Sequence, residues 1–209
     1  MLIKNYMQKL FTSPVSFVNE KARLVPLQLE HFEDLKSIAF DESLWKFTIN
    51  KIHRESDLLN YIERAIKERE NRQSYPFVIY DVATGKIAGS TRYGNISPEH
   101  HRLEIGWTWY APEFQRTGLN RACKFELLQY AFEQLNCIRV ELKTGSLNQQ
   151  SQTAIAKIGA TKEGVLRKHM IQEDGSFRDT VYFSILQNEW PRIKQTIFHA
   201  FAKESGQSP

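Results

Sequence analysis

Hydrophobic positions along this chain follow two rhythms, one near 3.6 residues and one of two, and the switches between them mark out its elements. A short strand is predicted at Ala22–Leu27, closed by Pro26. A helix is predicted at Leu29–Ala39, where Leu29, Phe32, Leu35, Ile38 and Ala39 share a face. Leu58, Leu59, Ile62, Ala65 and Ile66 give a second helix, from Leu58 to about Arg72, with Ser56 as its N-cap. Its outer face mixes Glu63, Arg64, Lys67, Glu68, Arg69 and Glu70, the pattern of a solvated face laced with i,i+4 pairs rather than of a basic recognition helix. Strands at Phe77–Val82 and Lys86–Arg92 flank the turn Ala83-Thr84-Gly85, and another strand spans Leu103–Trp109.

The stretch from Trp107 to Arg121 reads as the end of that strand at Pro112, a tight turn, and a helix opening at Gly118 with Ala122, Phe125, Leu128, Phe132 and Leu135 on one stripe. Downstream, Ile138–Thr144 points Ile138, Val140 and Leu142 inward as a strand. Asn148–Ile158 is a short helix with Asn148 as N-cap and Gly159 just past its end. Thr161–Met170 and Arg178–Leu186 are strands around the turn Glu173-Asp174-Gly175-Ser176, and Glu189 to about Lys203 is a helical tail with Trp190, Ile193, Ile197 and Phe198 or Phe201 apolar. Together these predict one α+β domain with a mixed, mostly antiparallel sheet. Residues 1–20 form an N-terminal extension, 21–188 the domain, and 189–209 a C-terminal helix and tail packed on it.

Composition narrows the classes. The 209 residues suffice for one domain with a sizeable core, and 41% hydrophobic residues are those of a folded chain. A net charge of +4, with signs alternating along the chain, is too small an excess to imply nucleic-acid binding and suits a small anionic ligand. Cys123 and Cys137 are the only cysteines and make neither a disulfide framework nor a zinc spacing. The run Met1–Leu10 is too short for a signal peptide, and no apolar run approaches the roughly 20 residues that span a bilayer. A cytoplasmic protein is expected.

The turn into the helix at Gly118 carries the first chemistry. Backbone N–H groups at a helix start lack internal partners and, with the helix dipole, attract an anion. Gly118 has no Cβ to keep a phosphate away, and Arg116, Arg121 and Lys124 add positive charge. Read with Glu104-Ile-Gly106-Trp107, Gln115-Arg-Thr-Gly118-Leu-Asn120, Asn148-Gln-Gln-Ser151 through Ile158-Gly159-Ala160, and Glu163-Gly-Val-Leu-Arg167, the chain resembles the GNAT superfamily of acetyl-CoA-dependent N-acetyltransferases. Within it, the RimJ/RimL-like branch of ribosomal-protein N-terminal acetyltransferases fits best, over about Ala22 to Leu186. One departure is Asn120, where the superfamily loop usually has Gly or Ala.

The resemblance implies acetyl-CoA as co-substrate, an amine as acceptor, no metal, and a possible homodimer. It implies that Gln115, Arg116, Thr117, Gly118, Leu119, Asn120 and Arg121 cradle the pyrophosphate, with Lys124 in support. A strand N–H near Trp107, Thr108 or Trp109 would meet the thioester oxygen where that strand splays from Ile138–Thr144. Asn148 would touch the cofactor and Ser151 attend the sulfur; the Tyr that other branches place four residues further on is Ile155 here. Glu104 is the candidate base. Strand alternation puts Glu104, Gly106 and Thr108 on one face and Leu103, Ile105, Trp107 and Trp109 on the other, and the competing reading is a surface carboxylate paired with Arg92 or Arg102.

His169, on the face of Arg167 and opposite Lys168, is an alternative base or a rim residue. His100 and His101, being adjacent, do not make a metal site. Cys123 could be the nucleophile of a ping-pong route, but its place on the flank of the buried stripe argues for packing. Trp107, Trp109, Trp45 and Phe47 are core aromatics or the lining of an acceptor pocket, and Glu173, Asp174 and Asp179 could draw in an amine. The acceptor is expected to be a protein N-terminal α-amino group, with ribosomal proteins first. The alternatives are a small amine, such as a polyamine or aminoglycoside-type compound, and an acyl-CoA sensor without turnover.

Overall fold

The computed structural model describes residues 6–49 and 51–202; Met1–Asn5 of the expected extension and Lys203–Pro209 of the expected tail lie outside them. The strands are β1 (Phe17–Val18), β2 (Ala22–Pro26), β3 (Tyr75–Asp81), β4 (Ile87–Ser97), β5 (Arg102–Tyr110), β6 (Arg139–Gly145), β7 (Thr161–Ile171) and β8 (Phe177–Leu186). The helices are α1 (Phe32–Ala39), α2 (Glu55–Glu70), α3 (Leu119–Gln129), α4 (Gln149–Lys157), α5 (Trp190–Thr196) and α6 (His199–Ala202). All strands join one sheet in the order β1-β2-β3-β4-β5-β6-β8-β7. Every neighbouring pair is antiparallel except β5 and β6, which are parallel. The expected α+β class and mostly antiparallel sheet hold.

Helices cover both faces. On one, Leu35, Ala39, Leu58, Ile62 and Ala65 of α1 and α2 pack against Val78, Ile87 and Trp109. On the other, Phe125 and Leu128 of α3, Ile155 of α4, and Trp190, Ile193 and Phe198 near the C-terminus pack with Phe77, Tyr93, Leu103 and Ile105. The segment before the domain is part of this core: Tyr6–Phe11 is a 3-10 turn that buries Met7 and Leu10, and Phe17 pairs with Leu24 in the sheet.

Several local expectations shift for identifiable reasons. Helix α2 begins at Glu55 with Arg54 as its cap, so Ser56 lies inside the first turn rather than ahead of it. The chain from Leu29 to His31 is 3-10 before α1 takes over at Phe32. Ile138 precedes β6 and is 55% exposed, because β6 starts at Arg139; of the three expected inward residues only Val140 and Leu142 are buried. The C-terminal helix breaks into α5 and α6, with Phe198 buried at the junction.

The pairing of β5 with β6 places the site. It comprises Arg102 with Arg139, Leu103 with Val140, and Glu104 with Glu141, and then stops. Both strands run on, to Tyr110 and Gly145, so a fork opens beyond Glu104 and one edge of β5 is left without a ladder partner.

Candidate active site

The loop ahead of α3 has the geometry of an anion cradle. Gly118 is the N-cap with a φ of 93°, a left-handed conformation that glycine adopts without steric cost. A Cβ placed there would meet only the aliphatic stem of Lys21, at 3.9 Å, so the space before the helix is open. Ala122 N–H makes the first bond back, to Gly118 O at 3.1 Å, and Leu119 N–H is met by Thr117 Oγ1 at 3.3 Å. The N–H groups of Asn120 and Arg121, in the first turn, have no carbonyl behind them in the helix. Gln115 spans the cleft: its Nε2 donates to Tyr110 O at 3.0 Å, and its Oε1 accepts from Gln150 Nε2 of α4 at 3.5 Å. Arg116 and Arg121 are exposed. Asn120 Oδ1, at the unusual position, is buried with no partner.

Lys124 departs from the expected phosphate role. Its side chain turns into the protein, and Nζ donates to Thr108 Oγ1 at 2.9 Å. Burial brings its pKa down to about 8, against the pull of Cys123 and Glu104. Lys21 takes the place near Gly118 instead. It lies in the turn between β1 and β2, and nothing in its local sequence distinguishes it.

Two bulges shape the fork. Trp107 has a φ of 50°, and the register with β4 shifts there, so Arg92 pairs with Gly106 while Ser90 pairs with Trp109. One extra residue reverses the alternation. The expected grouping of Trp107 and Trp109 with Ile105 therefore fails. Trp109 packs on Trp45 among the α1–α2 residues, ring centroids 5.3 Å apart, and Trp107, 38% exposed, lies over Gly94 and the Arg92 guanidinium. Thr108 leaves the face of Glu104 and joins Thr91 and Lys124 on the α3 side. The second bulge, at Asn95 with a φ of 46°, aims that side chain at Glu104.

Glu104 is 6% exposed and paired with neither Arg92 nor Arg102. Arg92 bonds Glu68 at 2.9 Å, and Arg102 reaches Glu141 at 3.4 Å. The partners of Glu104 are Lys143 Nζ at 2.8 Å and Asn95 Nδ2 at 2.6 Å, both on Oε2. Oε1 lies over Gly106, where a Cβ would stand 2.9 Å from it. The glycine thus leaves room for the second carboxylate oxygen at the mouth of the fork. Lys143 is half-buried; burial would lower its pKa, but Glu104 and Tyr182 outweigh that and raise it. Both it and Asn95 escape sequence reading, since the contact depends on which strands pair.

On the far side of the cleft, Asn148 is the N-cap of α4, its Oδ1 accepting Ser151 N–H at 2.9 Å. Ser151 Oγ, half-exposed, has no hydrogen-bond partner among the described residues. Behind it, Lys143 Nζ sits 4.6 Å from the Tyr182 ring centroid, and His169 packs edge-on against the same ring at 5.8 Å. His169 does not follow simple alternation: β7 bulges at Lys168, with a φ of 48°, whose N–H bonds Asp179 Oδ1 at 2.7 Å. Glu163 is a strut, accepting from Arg139 Nη1 at 2.6 Å and Ser184 Oγ at 2.8 Å, and the Arg139 bonds hold its pKa down at about 2. Cys123 is fully buried and burial pushes its thiol up to about 12, which is no nucleophile. Asp174 caps its own turn by accepting Ser176 N–H at 2.9 Å. His101 turns the chain at a φ of 46°, and no group of three or more metal-ligating side chains is assembled among the described residues.

An open helix start without a Cβ, an unpaired strand edge, and a buried carboxylate between them fit a ligand with a phosphate end and an extended arm. A curated relative from Bacillus subtilis (strain 168), named "Putative ribosomal N-acetyltransferase YdaF", is 33% identical over 113 residues, which span 54% of this chain and 59% of that protein. The N-acetyltransferase YnaD of the same organism, described as uncharacterized, is 25% identical over 72% of this chain and 84% of its own. A crystal structure of a GCN5-related N-acetyltransferase from Brucella melitensis superposes with a TM-score of 0.83 at 27% identity, covering 95% of this chain and 92% of that one. Since the acetyltransferase (GNAT) domain family also matches residues 21–161, two thirds of the chain and every part of the site up to α4, the chain belongs to the GNAT acetyltransferases.

Proposed function

We propose that this protein is an acetyl-CoA-dependent N-acetyltransferase whose acceptor is a protein N-terminal α-amino group. The observation that carries the reading is the fork: β5 parts from β6 immediately after Glu104 and leaves that carboxylate at its apex, both of its polar partners among the described residues lying on Oε2 rather than Oε1. Acetyl-CoA supplies an activated acetyl group held as a thioester. The helix start at Gly118, with Gln115, Arg116, Thr117, Leu119, Asn120 and Arg121, binds its pyrophosphate, and Lys21 adds charge. The free edge of β5 at Trp107 to Trp109 offers backbone N–H groups to the oxyanion. Glu104 Oε1 takes the amine's proton, directly or through one water, while Lys143 and Asn95 hold the other oxygen. Asn148 borders the arm, and Ser151 Oγ donates to the sulfur.

An α-amino acceptor is favoured because its pKa, about 7.7–8.0, needs far less help at pH 7 than a lysine near 10.4. A single half-shielded carboxylate is adequate to that task. The relative named for ribosomal acetylation points the same way. The test is free coenzyme A release, followed by thiol titration, against N-terminal peptides, polyamines and aminoglycosides. Release with peptides only, lowered by a factor on the order of 100 in Glu104→Gln with acetyl-CoA affinity kept, supports the proposal. Release with polyamines or aminoglycosides alone overturns the acceptor. Tight binding without release under any acceptor turns the protein into a sensor.

A further inference from the structure

Among the described residues, the buried Lys, Arg, Asp and Glu side chains are Arg92, Glu104, Lys124 and Glu141. Arg92 has Glu68 at 2.9 Å, Glu104 has Lys143 at 2.8 Å, and Glu141 has Arg139 at 3.0 Å. Lys124, 5% exposed, forms no ion pair among the described residues. Its ammonium has three donors, and one of them meets Thr108 Oγ1, at 2.9 Å, which is 2.8 Å from Thr91 Oγ1. A buried charge without a counter-charge is costly, and groups held in this way cluster at sites where a ligand can supply the partner.

The surroundings say which ligand atom that is. Thr108 lies one residue past the bulge, on the part of β5 that has left β6. Lys124 lies six residues along α3 from Gly118, roughly 9 Å down the helix axis at ~1.5 Å per residue. A molecule anchored by phosphate at the helix start and lying along β5 therefore carries its far end toward this ammonium. The groups that act on it are Cys123 of its own helix and Glu104 of β5, and Glu104 is already neutralised by Lys143. On the acetyl-CoA reading above, the far end is the sulfur.

We propose that Lys124 is the counter-charge for the coenzyme A thiolate that leaves when the acetyl group is transferred. As the amine nitrogen bonds to the acyl carbon, the C–S bond breaks and its electron pair stays on sulfur. The amine's proton goes to Glu104 and on to solvent, and Lys124 keeps its own protons, pairing with the thiolate until release. Ser151 contributes a hydrogen bond to the same atom; Lys124 contributes the charge.

The test reads ionisation rather than turnover. Thiolate absorbance of bound coenzyme A is titrated with pH in complexes of the wild type and of Lys124→Met and Lys124→Arg. The wild-type complex should hold about ten times more thiolate than free coenzyme A at the same pH, a lowering of about one pH unit, with the Arg variant close behind and the Met variant losing the gain. A bound thiol that ionises alike in the wild type and Lys124→Met overturns the proposal. Should the Met variant not fold, calorimetry on the wild type decides: coenzyme A should gain affinity over desulfo-coenzyme A between pH 7 and 8, and no gain overturns it. Failure to bind desulfo-coenzyme A and acetyl-CoA at all would instead remove the cofactor reading itself.

Discussion

Lys124 sets a cost on the ligand-free protein that can be measured. Its pKa falls from an ordinary 10.5 to about 8 because burial disfavours the charged form. That fall corresponds to roughly 3 kcal/mol, present in full below pH 8, where both folded and unfolded chains hold the proton. Between about pH 8 and 10.5 only the unfolded chain stays protonated, so the penalty is relieved as pH rises. Urea unfolding of Lys124→Met without coenzyme should thus show a protein more stable than wild type at pH 7, by up to about 3 kcal/mol, with the margin shrinking toward pH 10. A less stable variant at pH 7 would mean that the Thr108 bond outweighs the burial. At this same scale, sequence reading identified Glu104 and Gly106 as neighbours on one face. It could not identify Lys143, which reaches Glu104 only because β5 and β6 pair.

Two glycines at element boundaries separate binding from packing. Gly118 and Gly159 both have positive φ, 93° and 91°, and both adjoin a helix end. Around Gly118 a side chain would enter open space, whereas at Gly159 a Cβ would lie 2.9 Å from Ile197 and 3.0 Å from Ile193. Gly118→Val should lose acetyl-CoA binding by calorimetry, and because a β-branched residue is strained at this φ it should also lower stability by about 1–3 kcal/mol, with no packing clash added. Gly159→Ala should keep binding and lower stability by about 1–3 kcal/mol in urea, because α5 has to move away from the turn. The reverse pattern would undo the assignment of the loop. Gly118 was legible because a turn into a helix is local chemistry, as was the Asn148 cap. The faces of Trp107, Thr108 and Trp109 were not, since a bulge inserts a residue that no alternation rule anticipates.

Among the described residues, the molecule is one sheet with helices on both faces and with the segment Tyr6–Phe11 built into its core. Met7 and Leu10 are fully buried, and Val15 N–H bonds Tyr75 Oη at 2.8 Å. Removing residues 1–12 should lower stability by roughly 3 kcal/mol or more, from two buried side chains at about 1.5–3 kcal/mol each. Equal urea midpoints for the two chains would show that the segment merely lies on the surface.

Periodicity, turn residues and caps were enough to place most of the main elements in order and the helix start at Gly118, though not β1 or the break between α5 and α6, and loop and strand motifs contiguous in the chain carried the resemblance to the family. Those features depend on contacts within a few residues, where backbone geometry follows side-chain type closely. Tertiary structure alone decided that β5 and β6 part at Glu104, that Lys143 and Asn95 hold its carboxylate, and that Lys124 points inward at Thr108 rather than outward at a phosphate. Each of these joins residues distant in the chain, or turns on a bulge or on the phase of a helix over the sheet. Packing the whole core sets such relations, and no short window of sequence encodes them.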